Sequence, residues 1–270
     1  MAGEQGRGGG LGARLALMLG LARDASGKRL VRPFVRRYGR YTSLQFSRSQ
    51  TQSRMLTGEP DVLLIDYTRT MLAALLLRPD PQRIGMVGLG GGSQAKFCYR
   101  HLPGARIEVV ENNPGVIALR REFAIPDDDE RLQVHLGDGA EFVRSRRGCY
   151  DLLLVDGYDE HGIPAALSTQ AFYEDCRDAL APGGVMSVNL FSTDAAAHFE
   201  RIRQSFEGRA VMLEELKMSN RVAFAWLAEE VPMWPIDAGP TLRELPDDAR
   251  RQLGPAFARL VQALEEAGFQ

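Results

Sequence analysis

The chain has 270 residues, of which 44% are apolar and 25% are charged, and its formal net charge is −2. This is the composition of an ordinary globular protein, with one large domain or one medium domain and a small appendage. A net charge this close to zero gives no broad basic surface, which argues against nucleic acid as a partner. The sequence also has no apolar run long enough to cross a bilayer, so we expect no membrane partner.

The three cysteines are Cys98, Cys149 and Cys176, which are far apart and form no C-x-x-C pair. This spacing argues against a disulfide framework and against a zinc site. We therefore predict a protein without a metal ion and with a cytoplasmic location.

Residues 1–30 are predicted to be a disordered leader, because residues 1–10 are rich in glycine. Residues 15–22 form a short apolar run behind Arg7 and Arg14, which is also the form of a weak signal peptide. However, Arg23 and Asp24 follow where small residues should prepare a cleavage site. A disordered or amphipathic leader is therefore the preferred interpretation, with export as the alternative.

Residues 31–80 are predicted to form a small β appendage followed by a helix. Residues 41–46, 52–56 and 62–65 are candidate strands, and turn-forming residues separate the last two. Asp66 is predicted to cap the helix, which should end before Pro79.

Residues 81–230 show the regular alternation of strands and helices of a Rossmann-like domain. The predicted strands are residues 84–87, 107–111, 132–136, 150–156, 185–190, 210–215 and 221–227. The last two have no helix between them, which predicts a terminal antiparallel hairpin in an otherwise parallel sheet. That ending is typical of AdoMet-dependent transferases rather than dehydrogenases. Residues 231–270 are predicted to be a loop, over residues 232–240, and an amphipathic C-terminal helix, over residues 247–267.

The first strand of this domain ends in Gly88-Leu89-Gly90-Gly91-Gly92-Ser93. Glycine permits unusual dihedral angles and close backbone approach, so the turn suits a nucleotide-like ligand. About twenty residues further on, Glu111 ends the second strand, where dinucleotide-binding folds bind ribose hydroxyls. The pattern predicts a nucleoside site, and a glycine turn that serves packing alone is the alternative.

Four acidic residues lie at or just beyond the ends of successive predicted strands, namely Glu111, Asp138, Asp156 and Asp159. In open parallel sheets, ligands bind at the carboxyl ends of the strands, so we expect these residues in one site. Each also has a simpler interpretation. Asp138 could cap the following helix, Glu111 could be an exposed carboxylate, and Asp156 and Asp159 could be loop charges in water.

Together these motifs resemble spermidine synthases over residues 84–192. The matching stretches are residues 88–92, 109–111, 137–139, 155–159, 162–165, 172–173 and 180–184. The resemblance implies an α/β fold with a seven-stranded Rossmann-like sheet of the AdoMet-dependent transferase type. It also implies a small N-terminal β domain and a homodimer.

The resemblance further implies a nucleoside donor, either decarboxylated S-adenosylmethionine or S-adenosylmethionine itself, as a co-substrate. The donor-binding residues would be Gly88, Gly90, Gly92, Ser93, Glu111, Asp138 and Gly139. In this scheme Glu111 binds the ribose hydroxyls, and Asp138 accepts a hydrogen bond from the adenine amino group.

The resemblance implies that the acceptor is a small-molecule amine of the polyamine type. Asp156 would be the base that takes the proton of the attacking amine, and Asp159 would act with it. Tyr158 and Asp159 would help to hold the cationic substrate. A protonated amine is not a nucleophile, so a carboxylate that orients the amine and accepts its proton suits this chemistry.

Three positions depart from the family pattern. Ser93 stands where the family has an aspartate, Tyr41-Thr42 stands for Tyr-Gln, and residues 66–70 do not match Tyr-His-Glu. These departures reduce the number of acidic groups that favour a decarboxylated donor. Lys96, one helical turn beyond Ser93, could meet the carboxylate of intact AdoMet. The simpler interpretation of Lys96 is an exposed surface lysine.

The best single prediction is transfer of an aminopropyl group to an amine, with Asp156 as the base. One alternative is an AdoMet-dependent methyltransferase. The other is a non-catalytic protein that keeps the nucleoside pocket.

Overall fold

The computed structural model describes residues 16, 22–23, 27, 29–48, 51–159, 162–191, 194–227 and 237–269. Most of the predicted leader therefore lies outside the described residues. The strands are β1 Phe34–Tyr38, β2 Tyr41–Gln45, β3 Thr51–Leu56, β4 Arg83–Val87, β5 Arg106–Glu111, β6 Leu132–Leu136, β7 Tyr150–Val155, β8 Leu180–Leu190, β9 Ala210–Glu214 and β10 Arg221–Trp226. The α-helices are α1 Asp66–Met71, α2 Ser93–His101, α3 Pro114–Ala118, α4 Gly139–Arg144, α5 Gln170–Ala179, α6 Ala195–Ser205, α7 Ala238–Glu244 and α8 Asp247–Glu266.

The N-terminal segment forms a three-stranded antiparallel sheet in the order β1-β2-β3. The predicted β appendage is therefore present, but one of its strands was placed wrongly. Residues 62–65 do not form a strand, and the third strand of this sheet is instead Phe34–Tyr38. Leu63 is fully buried, and its backbone N–H donates to Gln252 Oε1 of α8 at 2.8 Å. This run is thus apolar because it packs against the C-terminal helix.

The larger sheet has seven strands in the order β6-β5-β4-β7-β8-β10-β9. The pairs from β6 through β8 are parallel, whereas β10 is antiparallel to both β8 and β9. This confirms the predicted Rossmann-like sheet with a terminal antiparallel hairpin. The carboxyl ends of β4, β5, β6, β7 and β8 meet at one edge of the sheet, where ligands bind in such folds.

The central strand β7 is apolar along most of its length because helices cover both faces of the sheet. Leu152 and Leu154 belong to a core shared with α1, α2 and α8. Leu153 and Val155 belong to the opposite core, which is shared with α4, α5 and α6. The sheet is close-packed between the helices on its two faces, and this packing fixes the position of its carboxyl edge.

Two predictions at helix ends need correction. Asp66 does not cap α1, whose N-cap is Ile65; Asp66 is the first helical residue and pairs with Arg69 at 3.0 Å. The predicted loop 232–240 is partly helical, since α7 begins at Ala238 behind the capping carboxylate of Asp237. In the part of the chain that the structure describes, no helix is long and apolar enough to cross a membrane.

Candidate active site

The glycine turn between β4 and α2 brings its backbone against the end of β7. Gly88 has a φ of +94°, and a Cβ atom there would lie 2.3 Å from the backbone oxygen of Asp156. Gly92, the N-cap of α2, has a φ of +66°. At Gly88, only glycine accepts both the positive φ and the close approach to the backbone oxygen of Asp156 without strain. The turn thus starts in close contact with the backbone of Asp156.

Glu111 is buried at the end of β5 and holds the glycine turn. Its Oε2 accepts a hydrogen bond from Leu89 N at 3.0 Å, and its Oε1 accepts one from Asn113 N at 2.8 Å. Burial raises the pKa of this carboxyl, while the backbone N–H donors oppose that effect. The interpretation of Glu111 as an exposed strand-end charge is therefore wrong. Its carboxylate faces the turn that the sequence assigns to the nucleoside.

Asp138 caps helix α4, because its Oδ1 accepts a hydrogen bond from Glu141 N at 2.9 Å. The simpler interpretation of Asp138 is therefore correct, and its predicted contact with adenine stays a prediction. Next to it, a Cβ atom on Gly139 would lie 2.7 Å from Val87 Cγ1 and 3.3 Å from Leu167 Cδ2. The backbone at this position approaches β4 closely, at the same edge as the glycine turn.

Asp156 lies directly after β7, and neutral donors hold both of its carboxylate oxygens. Tyr67 of α1 donates its hydroxyl to Oδ2 at 3.0 Å, and Asn189 of β8 donates Nδ2 to Oδ1 at 2.8 Å. Burial raises the pKa of the Asp156 carboxyl, and these two hydrogen bonds oppose the rise. Burial and the nearby carboxylate raise the pKa of the Tyr67 phenol, which therefore stays protonated as a donor.

Tyr158 is fixed to the end of β8. Its hydroxyl donates to the backbone oxygen of Asn189 at 2.6 Å and accepts from Phe191 N at 2.5 Å. Asp159 lies in the loop beyond it, where its N–H donates to the backbone oxygen of Gly162 at 2.9 Å. Asn189 thus contacts both residues, since its side-chain amide donates to Asp156 and its backbone oxygen accepts from Tyr158. The substrate-binding roles predicted for Tyr158 and Asp159 stay predictions.

Three residues around Asp156 and its partners were not among the site residues predicted from the sequence, namely Tyr67, Asn189 and Asn220. Asn220 precedes β10, and its Nδ2 donates to Asn189 Oδ1 at 2.9 Å. Asn189 could have been found, because it is a polar residue near the carboxyl end of a strand that is otherwise mostly apolar. Tyr67 and Asn220 have no comparable pattern around them, since only the tertiary fold brings Tyr67 to Asp156 and Asn220 to Asn189.

Ser93 is the first residue of α2, as predicted, and is partly exposed. Lys96 is not a surface lysine, because it is only 1% exposed. Its Nζ donates to the backbone oxygen of Phe123 at 2.7 Å, and burial lowers its pKa to about 8. Its amine is thus already engaged inside the protein, which removes the argument for a contact with a donor carboxylate.

The part of the chain described by the structure contains no cluster of three or more His, Cys, Asp or Glu residues that could hold a metal ion. That the reaction needs no metal stays a prediction. The site's ionisable groups are instead the carboxylates of Glu111, Asp138 and Asp156 at one sheet edge.

Comparison with known proteins identifies the family of this chain. Residues 66–205 match the model of the spermine/spermidine synthase domain. The chain is also 35% identical to the polyamine aminopropyltransferase of Chromobacterium violaceum over 236 residues, which cover 86% of this chain and 88% of that protein.

Solved structures show the same fold. A probable spermidine synthase from Corynebacterium glutamicum is 21% identical, with a TM-score of 0.65, and covers 78% of this chain and 82% of that one. Human methyltransferase-like protein 13, solved in complex with SAH, is 25% identical, with a TM-score of 0.56 and coverage of 72% and 93%. The family model and the long alignment together show that this chain is a transferase that belongs to the spermine/spermidine synthase family.

Proposed function

We propose that this protein transfers an aminopropyl group from decarboxylated AdoMet to a small polyamine-type amine, with Asp156 as the base. The observation that carries the proposal is the environment of Asp156. Its carboxylate is half-buried at the carboxyl edge of the sheet and is held by two neutral donors. No salt bridge to Asp156 occurs among the residues that the structure describes. The carboxylate is therefore oriented without being neutralised.

The donor would lie across the ends of β4, β5 and β6. The glycine turn offers close backbone approach, Glu111 would accept hydrogen bonds from the ribose hydroxyls, and Asp138 would meet the adenine amino group. Glu111 already faces the turn through Leu89 N. In this arrangement the sulfonium centre would lie toward the neighbouring end of β7, where Asp156 is located.

The proposed reaction needs one carboxylate, which accepts the single proton that the amine loses. The lone pair of the amine nitrogen attacks the methylene carbon bound to sulfur, and the C–S electrons return to sulfur as a neutral thioether. The new C–N bond leaves an extra proton on nitrogen, which passes to Asp156. A sulfonium leaving group needs no acid, so the principal tasks of the protein are to align the two substrates and accept the proton.

Methyl transfer from intact AdoMet is the second candidate. It is favoured by the similarity to human methyltransferase-like protein 13, whose structure contains SAH. The amine of Lys96 no longer supports it, because that amine donates to Phe123 O inside the protein. The match to a polyamine aminopropyltransferase over most of the chain supports the first candidate instead.

Asp156→Asn tests the role of the base, because it keeps the size of the side chain and removes its capacity to accept a proton. We expect the kcat of aminopropyl transfer to putrescine to fall by roughly 10²- to 10⁴-fold. Calorimetric titration should show an unchanged affinity for decarboxylated AdoMet. A variant that transfers at the wild-type rate would refute the assignment of Asp156.

A further inference from the structure

The amide of Asn189 lies between Asp156 and a second amide. Asn189 Nδ2 donates to Asp156 Oδ1 at 2.8 Å, and Asn189 Oδ1 accepts from Asn220 Nδ2 at 2.9 Å. Asn189 is 4% exposed and Asn220 is 5% exposed. Solvent is therefore largely excluded from the amide pair, and each hydrogen bond is electrostatically stronger than it would be in water.

The two ends of an asparagine amide differ in chemistry but hardly in shape. If the Asn189 amide were rotated by half a turn, its oxygen would face the carboxylate oxygen of Asp156. The N–H group of Asn220 opposes this rotation, because it requires an acceptor at Asn189 Oδ1. Asn220 thus selects the rotamer in which Asn189 donates to Asp156.

Asn220 is itself held by the terminal hairpin. Glu215 N donates to the backbone oxygen of Asn220 at 2.9 Å, which closes the turn between β9 and β10. In the antiparallel register, Val222 lies opposite Asn189 and Arg221 lies opposite Leu190. The hairpin therefore fixes Asn220 relative to β8, and β8 fixes Asn189 relative to β7.

We propose that Asn220 is a positioning residue for Asp156, which acts through the amide of Asn189. The proposal rests on the proposed function of Asp156 as the base. It gives the antiparallel hairpin a role in the reaction, although the hairpin contributes no residue to the predicted donor or acceptor site. Loss of the Asn220 amide removes one of the two hydrogen bonds that hold the Asn189 rotamer, so the remaining hydrogen bond from Asn189 to the carboxylate is weakened.

Two titratable groups face Asp156 among the described residues, the phenols of Tyr67 from α1 and Tyr158 from the loop after β7. Both stay protonated because burial raises the pKa of each phenol. Neither therefore carries a charge that would mask the effect of Asn189. Without the amide donor, burial of the carboxylate is less well opposed, and Asp156 holds its proton more tightly.

The test is a carboxyl ¹³C NMR titration of Asp156 in the full chain, with its signal assigned by Asp156→Asn. We expect Asn220→Ala to raise the proton affinity of Asp156 roughly tenfold, the effect of losing most of one hydrogen bond to a charged group. Asn220→Asp keeps the side-chain volume and should act in the same direction. Ser219→Ala, at the neighbouring exposed position of the same turn, is the matched control and should leave the titration unchanged.

Steady-state kinetics provide the second readout. In both Asn220 variants the acidic limb of the kcat–pH profile should move to higher pH, while KM for the donor stays within about twofold. An Asp156 titration identical to the wild type in both variants would overturn the proposal. If the titration changes as expected but the wild-type protein transfers no aminopropyl group, the positioning stands and the proposed function fails.

Discussion

Two aspartates at opposite ends of β7 have very different partners. Asp151, at the amino end, accepts hydrogen bonds from Arg78 Nη2 at 2.6 Å and from the backbone N–H groups of Gln82 and Arg83. Among the described residues, the side chain of Asp156, at the carboxyl end, accepts hydrogen bonds only from the neutral groups of Tyr67 and Asn189. The partners thus distinguish Asp151, which is paired with a cation, from Asp156, the proposed base.

The pH dependence of stability follows from the burial of Asp156. Burial raises its pKa in the folded protein above the value in the unfolded chain. Such a group contributes stability at a pH below the unfolded pKa, and that contribution is lost as the pH rises through the folded pKa. We therefore expect Asp156→Asn to be more stable than the wild type at neutral pH.

Urea denaturation between pH 3 and pH 8 measures this difference. The advantage of the asparagine variant should shrink as the pH falls below the range in which the wild-type carboxyl titrates. A difference in the free energy of unfolding that is constant across this range would show that Asp156 is not destabilised by burial.

Glu111→Gln should weaken binding of the donor rather than slow the chemical step. The glutamine side chain has one acceptor oxygen where the carboxylate has two, so it cannot accept from both the ribose hydroxyls and the backbone N–H groups. A charge-assisted hydrogen bond of about 1.5–3 kcal/mol is therefore lost. Calorimetry should show a Kd for decarboxylated AdoMet that is roughly 10- to 100-fold higher.

Glu108→Gln is the matched control, because Glu108 is on the same strand and its carboxylate accepts from Tyr150 Oη at 2.7 Å. Its donor affinity should equal that of the wild type. Equal donor affinity in the two variants would remove Glu111 from the donor site.

At the scale of elements, the turn between β4 and α2 depends on Gly88. Gly88→Ala would place a methyl group 2.3 Å from the backbone oxygen of Asp156, at a φ of +94°. We expect a loss of about 2–4 kcal/mol in the free energy of unfolding, because backbone strain adds to the collision.

Gly148→Ala separates these two causes. Gly148 has a φ of +64°, but no atom lies within 4 Å of the position that its Cβ would take. Its cost should be only the roughly 1–2 kcal/mol of a left-handed residue. Chemical denaturation of both variants gives the comparison, and equal losses would show that the approach to Asp156 is not tight.

The elements of the large sheet could be predicted because their patterns are local. The apolar run of β7 predicts a buried strand, and the glycines after β4 predict a turn, without reference to any distant residue. The wrong strand at 62–65 shows the limit, because a short buried run has the same composition whether it pairs in a sheet or packs against a helix. Tyr67 and Asn220 could not be predicted, since Tyr67 reaches Asp156 only through the packing of α1, and Asn220 reaches Asn189 only through the pairing of β10.

At the scale of the whole molecule, membership of the spermine/spermidine synthase family fixes the fold and the class of reaction. The homodimer, the cytoplasmic location and the absence of nucleic-acid partners stay predictions. The departures at Ser93 and at residues 66–70 concern the substrates. Within α1, Asp66 pairs with Arg69, and Thr70 Oγ1 accepts from Arg259 Nη1 at 3.3 Å. The side chains of Asp66, Arg69 and Thr70 thus take part in structural contacts.

The choice of donor is the most direct test of the proposed reaction. The purified protein is incubated with putrescine and equal concentrations of AdoMet and decarboxylated AdoMet, and the products are identified by mass spectrometry. We expect an aminopropylated amine and methylthioadenosine, with production of both slowed by roughly 10²- to 10⁴-fold in Asp156→Asn. A methylated amine with S-adenosylhomocysteine would contradict aminopropyl transfer and establish the methyltransferase alternative.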